Sequence, residues 1–335
     1  MPETSYRNRR AFSIENDSVR VTVLAEGGHV AEILHKPSGV NPLWTPPWPS
    51  IEPSSYQRST HPQYGADAES RLLAGLMGHN VCLDIFGGVS PDEEAAGLTV
   101  HGEAPVAAYA IECRAAELAA RAALPAAQLR YERRITLDGV RVCFTETVEN
   151  LSSCDRPIAW TQHVTLGPPF LEKGATRFEA TATRSKVFEA DFGAGGYLEK
   201  GAEFEWPNAP RVGGGTADLR TFTGLMASAA FTTHLMDPSL EEARFTAHSP
   251  RLGVTFGYRW PRAMFPWLGI WEENYSRTAP PWNGCTLARG MEFGVSPMPE
   301  TRRRMIERGT LFGVPAFKWL GARRAETVRY EAFFE

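Results

Sequence analysis

Cysteine is scarce in this sequence. There are 5 in 335 residues, at positions 82, 113, 143, 154 and 285, an odd number with no CxxC pair. This excludes a disulfide-stapled scaffold and gives no basis for a thiolate zinc site. A chain of this length buries roughly three quarters of its unfolded surface and needs no such staples. A basic surplus is also missing: Lys and Arg total 35 against 39 Asp and Glu, a net charge of -4. Nucleic acid is therefore not expected as a partner. No apolar run approaches the ~20 residues of a membrane helix, so no membrane partner is expected either. The opening MPETSYRNRRAF has no apolar stretch behind it; no secretory leader is read there, and a cytoplasmic location is expected. No P-loop, GxSxG or dinucleotide fingerprint occurs in its required setting, and no HxH or HExxH pair. Gly193–Gly196 and Gly213–Gly215 lack the following helix and lysine of a phosphate cradle, and read as loops. No metal and no cofactor is implied.

What is abundant is 9 Trp, 30 Gly and 25 Pro. Pro and Gly at this level punctuate short elements. Residues 19–35 alternate as two strands around Gly27-Gly28, and Asp138-Gly139 between alternating runs marks a hairpin. Further strand-like runs cover 156–166, 176–190, 219–235, 243–248, 252–260, 265–274, 284–295 and 325–334. The stretch 66–77 is the best helix candidate. Residues 104–127 are ambiguous, Ala-rich enough for a helix but able to alternate as a strand. The expected fold is all-β: a large antiparallel β-sandwich with few short helices, residues 1–335 forming a single domain. The segment 41–64, rich in Pro and aromatics, is expected to cover a cleft or a sheet edge, because Trp44, Trp48 and Tyr56 are costly to expose together.

The chemistry-bearing candidates are His79, His101, His163 and His234, and the carboxyls Glu103, Glu272, Glu273 and Glu292. Glu292 stands out among apolar and Gly neighbours in LARGMEFGVSP.

In order along the chain, several segments resemble the galactose mutarotase (aldose 1-epimerase) superfamily. They are His101-Gly102 before a strand, ETVENLSSCDRPIAWTQHVTL with Asn150, Pro157 and His163, the FPWLGIWEEN strand, and the late Gly290-Met291-Glu292. The likeness spans roughly residues 20–335. HVTLGPPF lacks the family's aromatic-Asn continuation, and HGEAP lacks its Arg, so the chain is similar to a divergent member.

The resemblance implies an enzyme, a sugar 1-epimerase interconverting the anomers of an aldose by acid/base ring opening, with a small-molecule carbohydrate as partner. Glu292 would be the base and His163 the acid, with His101 near the ring oxygen. Arg71, His79, Asn80 and Asp84 would contact sugar hydroxyls, and Trp271 or Trp48 would stack on the ring. A non-catalytic carbohydrate-binding protein, or another carbohydrate-active enzyme such as a lyase (using Tyr275 and Arg277) or a hydrolase, remains open. A neutral or weakly acidic pocket is expected; if Arg302–Arg304 line it, a phosphorylated hexose becomes the better substrate.

Overall fold

The computed structural model describes residues 3–114 and 116–335. The Asp138-Gly139 hairpin joins Leu129–Asp138 to Arg141–Asn150, with Gly139 at φ 57°. The Ala-rich stretch resolves as strands, Ala110–Arg114 and Glu117–Leu124. Leu118, Ala120, Ala122 and Leu124 are buried at period two, and packing on the core outweighs alanine's helix propensity.

Four expectations need correction. The helix expected over 66–77 is only Ser70–Gly75. The run 176–190 divides into Arg177–Ala180 and Ala182–Val187, which join different sheets. The run 219–235 supplies one long strand, Ser228–Met236. His79–Asp84, unread as a strand because all six residues are buried and no alternation shows, lies at the centre of the larger sheet.

Among the described residues, the strands form a 12-stranded and an 8-stranded sheet, with two small two-stranded ribbons beside them. In the centre of the larger sheet the spatial order is His79–Asp84, Arg156–Leu166, Leu287–Gly294, Trp267–Asn274, Ser228–Met236, each pair antiparallel. The second sheet contributes Phe144, Tyr258, Trp260 and Tyr330 to a core shared with Trp160, Val164 and Phe293 of the first.

A polar knot is buried in that core. Arg133 Nε donates to Glu146 Oε1 at 2.7 Å, and Tyr330 OH donates to the same oxygen at 2.6 Å. Glu146 Oε2 accepts from Gln162 Nε2 at 2.6 Å and from Trp160 Nε1 at 3.2 Å. With every member bonded, the knot avoids the cost of unpaired buried charge. It also sets the register of the Arg156–Leu166 strand. Trp160, Gln162 and Val164 turn into the core, so Thr161, His163 and Thr165 must point to the opposite face.

A second apolar layer covers that opposite face. It joins Trp44 and Trp48 of the 41–64 loop, Leu72 and Leu73 of the short helix, Trp282, and Met305 of the Arg302–Arg308 helix. Thr301 caps this last helix, its Oγ1 accepting from Arg304 N. No described helix is long and apolar enough to cross a membrane.

Candidate active site

On the outward face of the large sheet, register brings two residues from distant parts of the chain side by side. His163 is the Cα partner of Glu292 on one neighbouring strand and of Asn80 on the other. Glu292 in turn pairs with Gly269, two residues from Trp271. His163 Nε2 lies 3.1 Å from Glu292 Oε1, and His163 Nδ1 lies 3.1 Å from Thr165 Oγ1. Gly290 makes room for this contact: a Cβ there would collide with Glu292 Oε1. At Gly102 the backbone has φ 85° and a Cβ would strike the Leu83 carbonyl, so glycine lets the His101 loop close against the sheet. His101 then sits with its ring 5.1 Å from that of His163.

These groups border a pocket of about 160 Å³ lined by His101, His163, Glu292, Trp271, Trp282, Phe192, Glu69 and Arg277, among others. Its walls are aromatic: the Trp271 ring is 5.9 Å from the His163 ring and 6.0 Å from Trp282, which packs edge-on against Trp48 at 5.1 Å. Arg277 lies over Trp282, 4.6 Å from the ring centre.

Burial controls the charges here. Glu292 is raised well above the usual carboxylate range by desolvation. His163 is pushed well below the usual imidazole range, by burial first and then by His101. Both directions favour an uncharged pair, Glu292 holding the proton that faces His163 Nε2 and Nδ1–H donating to Thr165 Oγ1. His101 is lowered to about 4, chiefly by burial. Its Nδ1 is 2.6 Å from the Phe86 carbonyl oxygen, which can only accept. The tautomer therefore carries its proton on Nδ1, and Nε2 is an acceptor. A neutral His101 can take a hydrogen bond from a hydroxyl but cannot donate one to a ring oxygen.

The other sequence-derived candidates are placed differently. His79 points the opposite way, into the core: its Nε2–H donates to Gln162 Oε1 at 3.0 Å and its Nδ1 accepts from Tyr258 OH at 3.0 Å. It is one residue from Asn80, and period two puts the two on opposite faces. Asp84 is fully buried and occupied by Arg302, at 2.8 and 2.7 Å, and by Arg156 at 2.7 Å. It anchors the Arg302–Arg308 helix instead of lining the pocket. Arg71 Nε donates to the Pro53 carbonyl at 3.3 Å, and Arg71 is not among the residues that line the pocket. Asn80 shares the face of His163, and both its side-chain atoms are buried without a partner among the described residues. Glu272 binds Tyr197 OH at 2.6 Å on the far face, and Glu103 accepts from Ala127 N at 3.2 Å. Tyr275 is exposed. Arg302–Arg304 do not line the pocket.

Glu69, Phe192 and Trp282 were not legible as pocket residues. One signal was available: APPWNG around Trp282 repeats the Pro-Pro-Trp of TPPWPS around Trp48, and the two tryptophans meet. Among the described residues no group of three or more His, Cys, Asp or Glu is arranged to hold a metal ion.

No family model matches this chain, and no curated protein matches it in sequence. Solved structures do. A candidate aldose 1-epimerase from Klebsiella pneumoniae superposes with a TM-score of 0.66 at 13% identity, over 98% of this chain and 79% of that one. A galactose mutarotase-like protein from Clostridium acetobutylicum gives 0.62 at 12% identity, over 100% and 98%. A galactose mutarotase related enzyme from Lactobacillus acidophilus gives 0.59 at 12%, over 97% of each. The fold is therefore the galactose mutarotase-like β-sandwich. At these identities the likeness carries the architecture alone.

Proposed function

We propose that this protein is a sugar 1-epimerase that interconverts the anomers of an aldose. The observation that carries this reading is the Glu292–His163 contact of 3.1 Å inside an aromatic-walled pocket. The two oxygens on the anomeric carbon are separated by one bond angle. Two proton-carrying groups in contact can each meet one of them from the same side.

One proton crossing the Glu292–His163 hydrogen bond converts the resting neutral pair into carboxylate and imidazolium. Glu292 then takes the O1 proton as the C1–O1 bond becomes a carbonyl. The C1–O5 bonding pair moves to O5, which takes a proton from His163. Rotation about C1–C2 presents the other carbonyl face, and the reverse transfers close the ring. The two transfers cancel, so the pair ends with the protons it began with. Each group contributes about 10²–10⁴-fold in such catalysis. Trp271, on the pocket wall, would stack on the CH side of a pyranose. His101 Nε2 accepts from a hydroxyl. A hydrolase would need a second free carboxyl, and the pocket's other carboxyl, Glu69, is engaged with Arg277 at 3.6 Å.

The test is polarimetry or NMR of freshly dissolved α-anomers of glucose, galactose and other aldoses. Glu292→Gln keeps the shape and removes the base; anomer interconversion should fall about 100-fold or more with sugar affinity largely kept, and His163→Ala should do likewise. A wild-type protein that binds a sugar without speeding its mutarotation would be a carbohydrate-binding protein instead. Full activity in Glu292→Gln would reject the assigned base.

A further inference from the structure

The pocket's only Lys or Arg among the described residues is Arg277, and its charge is already answered. Its Nε lies 3.4 Å from Glu273 Oε2, and one terminal nitrogen lies 3.6 Å from Glu69 Oε1. Glu273 is fully buried and accepts from Ser276 N at 2.6 Å, Ser276 Oγ at 3.0 Å and Arg277 N at 3.2 Å, which fixes it in place. Stacking over Trp282 holds the guanidinium from a third side. Glu69 comes from the other wall, just before the Ser70–Gly75 helix, and is only partly buried. Two carboxylates on one guanidinium leave this part of the pocket with a surplus of negative charge. Glu69 retains acceptor capacity and Arg277 retains donor capacity at the same spot.

We propose that Glu69 is a specificity determinant: as a second carboxylate on Arg277, whose charge Glu273 already answers, it makes the pocket read adjacent hydroxyls of an uncharged sugar and reject phosphorylated or carboxylated ones. This rests on the carbohydrate reading of the pocket but not on turnover. A free arginine would clamp a phosphate or carboxylate bidentately. Here such an anion would have to displace Glu69 or lie beside it, and like-charge juxtaposition in a partly desolvated site opposes binding. A neutral vicinal diol instead donates to Glu69 and accepts from Arg277 without breaking the pair. Exclusion of anions through a retained acidic partner is a different device from an absence of basic residues, and it is removable by one substitution.

The experiment measures binding by calorimetry and thermal shift, using ligands that cannot mutarotate: methyl glucosides and galactosides against their 6-phosphates and the corresponding methyl uronides. The wild type should favour the neutral glycosides by about tenfold or more. In Glu69→Gln the gap should narrow by about tenfold, because the surplus negative charge is gone and the terminal nitrogens of Arg277 are open to the anion, while Glu273 stays on Nε and the amide keeps the shape. Glu69→Ala should narrow it too, and unchanged melting temperatures and circular dichroism identify variants that are folded. Wild-type binding of the 6-phosphates or uronides as tight as the neutral glycosides overturns the proposal, as does a folded Glu69→Gln with an unchanged preference. Preference for neutral glycosides without any mutarotation overturns the epimerase reading and supports this one. No binding of any of these sugars overturns both.

Discussion

Glu292 and His163 are cross-strand neighbours, paired at Cα and 3.1 Å apart at their side chains, and burial keeps the pair uncharged. Their shifts run in opposite directions from a common cause. Desolvation favours the neutral acid and the neutral base alike. The pair therefore holds one transferable proton over a wide pH range, which is the state that reversible ring opening requires.

The pH dependence follows from these signs. A second proton on the pair blocks the reaction on the acid side, and His163, being lowered, takes it only below the ordinary histidine value of about 6.5. Loss of the shared proton blocks it on the alkaline side, and Glu292, being raised, gives it up only above the ordinary carboxylate value. Mutarotation measured as kcat/KM should be bell-shaped with its acid limb below pH 6.5. An acid limb centred at or above 6.5 would contradict the buried, neutral pair.

Gly290→Ala should separate activity from folding. The added methyl displaces the end of the Glu292 side chain and lies 3.2 Å from Trp271 Cβ, which needs a few tenths of an ångström of relief, and Gly290 has no positive φ to strain. The expected result is a melting temperature close to wild type with mutarotation lowered about tenfold or more, as displaced catalytic groups give. Unaltered kinetics would show that the carboxyl's position is not critical.

Asp84→Ala should weaken the fold. It leaves the Arg156 and Arg302 guanidinium groups without their shared buried carboxylate and removes one anchor of the Arg302–Arg308 helix, which Glu93 and Glu300 continue to hold. Removing one partner of a buried ion pair costs about 3–5 kcal/mol. Chemical denaturation would measure it. A loss of sugar affinity at unchanged stability would return Asp84 to the binding site.

Acid should unfold the protein above the usual carboxylate range. His29 and His234 are fully buried and lowered to about 3, in each case chiefly by burial. Between about pH 3 and 6.5 the unfolded chain binds protons that these two do not bind when folded. Their stability contribution is thus complete above 6.5 and is lost as the pH falls, about 2 kcal/mol each by pH 5. His79 adds in the same direction, while Glu292, with the opposite sign, offsets His163. Tryptophan fluorescence followed from pH 8 to 4 should show unfolding that His29→Gln shifts to lower pH. Undiminished denaturation midpoints at pH 4 would contradict this.

Alternation, Gly-Pro punctuation and the Asp138-Gly139 turn made the strands and the all-β class legible, because a half-buried strand writes its period into the residue types. The order of His101-Gly102, His163 and Gly290-Met291-Glu292 pointed to the same three side chains that border the pocket. His79–Asp84 escaped as a strand because a fully buried strand shows no alternation; His79 and Asp84 were placed among the sugar contacts by the family resemblance of their segment, which carries no information on which face each side chain takes. Which face each residue takes is set by register. The buried Arg133–Glu146–Gln162 knot holds Gln162 inward and so sends His163 outward. Glu69 and Arg277 are more than 200 positions apart, and nothing local in either segment foretells their contact. The protonation state of the Glu292–His163 pair was likewise beyond the sequence, since residue type supplies an ordinary pKa and only the enclosing aromatic walls decide how far desolvation moves it.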